Sequence, residues 1–155
     1  MPVITQHELD KYLGQSIGQI CPNGVTNSQH GHGAHFVAHV LKFQLGVTCQ
    51  VVGKGSGPGA SLRVQDLFSR CPSVGAWSLR PVELTTSLIF MAGVSQVHLA
   101  TKQMNTAPQK HVGIYSGGLV WHYSHGQAKV IKQTPAQFSA SQPAPHNALF
   151  FGALP

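Results

Sequence analysis

The chain has 155 residues, room for one domain with its own core and no need of covalent staples. Charged residues make up only 9%, against roughly 25% in an average domain, so Ser, Thr, Gln, Asn and ten histidines carry the polar surface. The net charge of +6 favours an anionic partner, but Lys and Arg are scattered singly, which argues against nucleic acid, and no apolar run approaches the ~18 residues of a membrane span.

Thr5-Gln6-His7-Glu8 reads as a capping box. It opens a helix predicted over 6–20, with Leu9, Tyr12, Leu13, Ile17 and Ile20 on one face. Cys21-Pro22-Asn23-Gly24 supplies turn chemistry. A second helix is predicted over 33–45, its stripe of Phe36, Val40 and Phe43 widened by Val37 and Leu41, with Gly46 as the C-terminal cap. Cys49 is expected in a strand, residues 53–59 in a Gly/Ser/Pro loop, and 61–70 in a short helix that Cys71 ends.

From residue 85 the pattern turns to strands: Ser87–Ala92, Val97–Ala100, His111–Ser116, Leu119–Ser124, Lys129–Gln133 and Leu149–Gly152. Thr134-Pro135 starts one small helix between the last two. Helices first and a mostly antiparallel sheet afterwards is an α+β layout, in a single domain over 1–155 without repeats.

Ser116-Gly117-Gly118-Leu119 is a hairpin turn, because two central glycines reach the type I′ conformation that matches strand twist. Ser116 then faces Leu119 and Gly113 faces His122. One face collects His111, Gly113, Tyr115, Val120, His122 and Ser124; the more apolar face collects Val112, Ile114, Ser116, Leu119, Trp121 and Tyr123. Diagonal neighbours across a sheet lie roughly 7–8 Å apart, a span that the imidazoles of His111 and His122 bridge easily. Gly113 leaves room between them. Such a pair suits a base whose second nitrogen is held by an orienting group.

His32-Gly33-Ala34-His35-Phe36-Val37, read with His111-Val112-Gly113-Ile114-Tyr115, resembles the two halves of an NlpC/P60-type, papain-like cysteine hydrolase. In that family a helix opens with the nucleophile in a pattern like Cys-Ala-His-Phe-Val, and the base follows on a strand. Here Gly33 stands at the nucleophile position. The resemblance implies a papain-like domain spanning roughly residues 5–152, with His111 as base and His122 as orienting residue. It also implies amide hydrolysis through an acyl-enzyme, most readily in bacterial cell-wall peptides, or acyl transfer on the same scaffold. His32, Tyr115 and Ser124 are then candidate substrate-binding residues.

Glycine supplies no nucleophile, so the chain as written reads as inactive. It is either a silenced hydrolase or a natural pseudoenzyme that serves as a peptide or cell-wall binding module. The implied partners are a peptide or peptidoglycan fragment and an inhibitor protein, with neither nucleic acid nor a membrane span. Cys21, Cys49 and Cys71 form no Cys-x-x-Cys motif, and each reads as packing. His30, His32, His35 and His39 invite a zinc reading, with His35 and His39 at the i, i+4 spacing of a metalloprotease helix. Phe36 replaces the glutamate that chemistry needs, and the pair lies off the apolar stripe, facing solvent or a cleft edge. The sequence assigns no metal and no cofactor. The amino terminus lacks the charged start and apolar core of a signal peptide, and localisation is left open.

Overall fold

The computed structural model describes residues 4–21, 23, 32–44, 48–53, 59–60, 62–105, 110–141 and 147–154. The first helix begins as its capping box requires: Thr5 Oγ1 accepts from the Glu8 amide at 3.1 Å, and Glu8 Oε1 accepts from the Thr5 amide at 3.4 Å. It does not run to residue 20. The chain forms α1 (Gln6–Asp10), breaks, and restarts as α2 (Ile17–Ile20). Gly14 takes φ +82° at the break, and its amide donates to the Val130 carbonyl at 3.0 Å. Val130 in turn donates to the Gln15 carbonyl, also at 3.0 Å. Sheet-type bonding to a distant strand thus captures backbone that local periodicity assigns to a helix. Gln19 Oε1 accepts from the Ser16 amide at 2.8 Å and sets the restart.

The helix α3 (His32–Leu41) ends earlier than its apolar stripe suggests. Lys42 enters the left-handed region at φ +61°, and the Phe43 amide returns to the Ala38 carbonyl at 2.9 Å, the long bond of a Schellman cap. The Gly46 cap expected from sequence lies outside the described residues, as does most of the 53–59 loop. Cys49 opens a helix, α4 (Cys49–Gly53), and not a strand: the Val52 amide donates to the Thr48 carbonyl, closing a helical turn. α5 (Val64–Arg70) follows and stops at Cys71, as expected.

The strands are β1 (Val74–Ala76), β2 (Thr86–Gly93), β3 (Val97–His98), β4 (Gln103–Met104), β5 (His111–Ser116), β6 (Leu119–Ser124), β7 (Lys129–Gln133) and β8 (Asn147–Gly152), with α6 (Pro135–Ala140) before the last. β1 and β4 were not expected; they are three and two residues long, too short for a period-2 pattern to announce. Six strands form one fully antiparallel sheet in the order β1-β8-β2-β5-β6-β7, while β3 and β4 pair separately. The arrangement is α+β.

The β5–β6 hairpin has the register expected from its two glycines: Ser116 pairs Leu119, Tyr115 pairs Val120 and Ile114 pairs Trp121. Gly117 and Gly118 both take positive φ, at +55° and +93°. The two faces sort as the pattern requires. Val112, Ile114, Trp121 and Tyr123 join the main core with Ala34, Phe36 and Val37 of α3, which packs on β5 and β6. Tyr115 and Val120 point the other way, into a smaller cluster with Ile89, Met91 and Phe138 of α6. The core therefore pins α3 to one face of β5 and β6, while strand parity puts His111 and His122 on the other face with Tyr115 and Val120. Gly33 and the two histidines meet only at the strand ends.

Candidate active-site cavity

The mutual Cα pairing of β5 with β6 stops at Ile114 and Trp121. Past that end lies a cavity of about 170 Å³, walled by Gly33 of α3, His111 and Val112 of β5, His122 and Tyr123 of β6, and Gln133 of β7. Three distant pieces of sequence meet there. The start of α3 lies against the β5 backbone: a Cβ built on Gly33 would sit 3.4 Å from the Val112 carbonyl oxygen and 3.7 Å from its amide nitrogen. These are ordinary van der Waals contacts, so position 33 accepts a side chain. No acidic residue stands in the first turn of α3, leaving its positive end uncompensated by a carboxylate.

Gly113 is what lets the hairpin close tightly here. A Cβ at that position would come within 2.7 Å of Val120 Cγ1 and 3.0 Å of both His122 Cβ and the Trp121 carbonyl oxygen. Any larger residue would push β5 from β6 and move the two histidines apart.

His122 is buried against the Phe138 ring, with centroids 4.8 Å apart. Its Nε2 lies 2.7 Å from Gln133 Oε1, so Nε2 carries the hydrogen and donates. Burial lowers the His122 pKa, while the Gln133 bond and a backbone bond at Tyr123 pull it back up. His111 is lowered further, to about 4, first by burial and then by the nearby His125 and His122 rings. At neutral pH His111 is an uncharged imidazole, able to take a proton.

Gly33, His111, His122 and Ser124, all singled out from sequence, line this one cavity. His111 and His122 share a strand face, and no hydrogen bond joins them among the described residues. His32 is buried beside it, stacked on His125 with centroids 5.7 Å apart, and lines an adjoining cavity of about 410 Å³ with Ser16, Ile17 and Gly18. Tyr123 and His125 border both spaces. Tyr115 is in neither wall: its ring meets Trp77 edge-on at 4.8 Å, beneath the Arg80 guanidinium. It sits four residues along β5 from His111, within the small second core. Gln133 was missed, though strand parity offered it: His122 pairs Ile131, which places Gln133 on the same face one step along.

The expected solvent-facing placement of His35 and His39 is also corrected. His35 is fully buried and His39 half-buried, its pKa lowered by that burial. Cys21 at the end of α2 and Cys49 at the start of α4 lie against that side of α3, which the helix stripe alone does not reveal. Cys71 is inert by environment: burial pushes its thiol up to about 12, and its Sγ donates to the Leu67 carbonyl.

No protein-family model, curated protein or solved structure matches this chain.

Proposed function

We propose that this chain has the scaffold of an NlpC/P60-type, papain-like cysteine amide hydrolase, with Gly33 at the position of its nucleophile. One observation carries the reading. Gly33, at the start of α3, shares a single small cavity with His111 and with a His122 held by Gln133. A thiol at a helix N-terminus is biased toward thiolate, and a neutral imidazole alongside it can accept the proton. The room beside Val112 is that of a side chain the chain does not carry.

In the reaction such a site performs, the thiol gives its proton to His111 and the sulfur bonds to the amide carbonyl carbon. The C–N bond then breaks, and the amine leaves with the proton returned by His111. Water next attacks the acyl-enzyme, losing a proton to His111, and the C–S bond breaks to regenerate the thiol. His122, oriented through Gln133, acts as a positioning residue. Peptide stems of the bacterial wall are the substrate class the motif resemblance suggests, and a +6 chain suits an anionic wall. With Gly33 in place the chain binds such peptides and leaves them intact, which also describes a natural binding module.

The deciding experiment is Gly33→Cys followed by mass spectrometry of digested peptidoglycan, beside iodoacetamide labelling of position 33 against pH. New amide cleavage and a labelling midpoint well below the ~8.5 of an ordinary thiol are expected. A thiol that titrates as free cysteine, with no cleavage, overturns the proposal.

A further inference from the structure

Behind the start of α3, on residues the hydrolase reading does not use, four soft donors converge. His35 and His39 stand one turn apart on α3, and their Nε2 atoms are 3.0 Å apart. Cys49 Sγ is 3.5 Å from His39 Nε2. Cys21, at the end of α2, completes the group, and one ligand atom from each of the four residues lies within 4.8 Å of every other. Cys21, His35 and Cys49 are buried, and His39 is half-buried.

We propose that Cys21, His35, His39 and Cys49 form a structural Cys2His2 site for a tetrahedral transition metal, zinc by ligand chemistry. A tetrahedral zinc with bonds of about 2.0–2.3 Å holds its donors about 3.3–3.8 Å apart. The 3.5 Å sulfur–nitrogen separation falls in that range, the 3.0 Å nitrogen–nitrogen separation lies just below it, and all donors lie within 4.8 Å, so small side-chain shifts complete the tetrahedron. Two imidazoles and two thiols select zinc over magnesium or calcium, which take oxygen donors. Asn23 Nδ2 donates to Cys49 Sγ at 3.3 Å, the outer hydrogen bond that steadies a thiolate ligand.

Binding converts both thiols to thiolates and releases two protons to solvent, leaving a site of zero net charge. Four protein ligands fill the tetrahedron and leave no position for water, so the site ties structure together and does not catalyse. It joins the end of α2, two turns of α3 and the start of α4, elements of ten residues or fewer with little helix stability of their own. The spacing Cys21-x13-His35-x3-His39-x9-Cys49 carries this signal in the sequence, but only when cysteines and histidines are read as one set.

The test uses the whole chain without a histidine tag, purified reduced, stripped of metal by a chelator and titrated with Co(II). One equivalent is expected to bind with the intense d–d bands of a tetrahedral site and a thiolate-to-cobalt charge-transfer band. Zn(II) should then displace it one for one. Cys49→Ser should remove about half or more of the charge-transfer intensity, while Cys71→Ser leaves the spectrum unchanged. Should Cys49→Ser fail to fold, the thiolate band of the unsubstituted protein decides alone. Octahedral cobalt without that band, binding that survives loss of both Cys21 and Cys49, or a Cys21–Cys49 disulfide in the unreduced protein overturns the site. None of these readouts involves Gly33 or His111, so failure here leaves the hydrolase proposal standing, and the reverse.

Discussion

One helix serves two histidine-rich regions of opposite character. At its first turn, Gly33 opens onto a cavity with His111 and His122. Further along the same helix, His35 and His39, one turn apart, close on Cys21 and Cys49. The first region keeps free space and an uncharged base facing it; the second brings its donors to within a few ångströms of each other and leaves none for a substrate. Chemistry needs an open position and stability needs a saturated one. In the proposed scheme the residues that hold the helix presenting Gly33 are ones that take no part in the proposed reaction. Histidine count alone would not separate these roles.

The sharpest way to break the comparison is to remove the base. In a Gly33→Cys background, His111→Ala should lower turnover of wall peptides by about 10³-fold or more, because the thiol loses its proton acceptor. Gln133→Ala should cost less. It should also lower the His122 pKa further, read by NMR titration, since the lost hydrogen bond is one that raises it. Turnover indifferent to His111 would remove the cavity from consideration as a catalytic site.

Metal removal comes next in size and addresses the other region. A strong chelator should lower the unfolding midpoint by on the order of 10 °C, as expected when a tightly bound ligand of the folded state is withdrawn. His111→Ala should show the same drop and Cys49→Ser none beyond its own lower starting point. A drop of equal size in Cys49→Ser would show that the chelator acts elsewhere.

Gly113→Ala tests the geometry that joins the two strands. Its Cβ would meet Val120 Cγ1 closer than real contacts allow and lie tight against the Trp121 carbonyl oxygen, so we expect a loss of about 1–3 kcal/mol in chemical denaturation. The Co(II) spectrum of the Cys2His2 cluster should stay as it was. A neutral Gly113→Ala would mean that the hairpin ends do not lie so close.

The last effect is a pH dependence. His111 has an ordinary value of 6.5 and a folded value of about 4, so the unfolded chain takes up its proton first as the solution is acidified. Its contribution to stability is full above about 6.5 and is lost as pH falls from there toward about 4. The loss should be shallower in His111→Gln than in the parent chain, measured by denaturation midpoints across that window. Equal slopes would place His111 in solvent.

Local chemistry in the sequence determined a good deal of this molecule. Two glycines at 117–118 set the hairpin register, and period-2 alternation then set which face His111 and His122 share. The Thr5/Glu8 capping box and the Thr134-Pro135 start opened their helices where the residues said they would. All of these depend on partners within a few positions, where spacing and side-chain chemistry suffice. What only the tertiary structure decided depends on distant backbone. The bonds between Gly14, Gln15 and Val130 split the first helix, and Cys21 and Cys49 meet a helix face that its own stripe marked as exposed. The meeting of Gly33 with Val112, and of His35 and His39 with two cysteines, follows from how α3 packs on the sheet. A helix pattern reports which side is apolar, but a buried polar side becomes visible only once its partners are brought in from far along the chain.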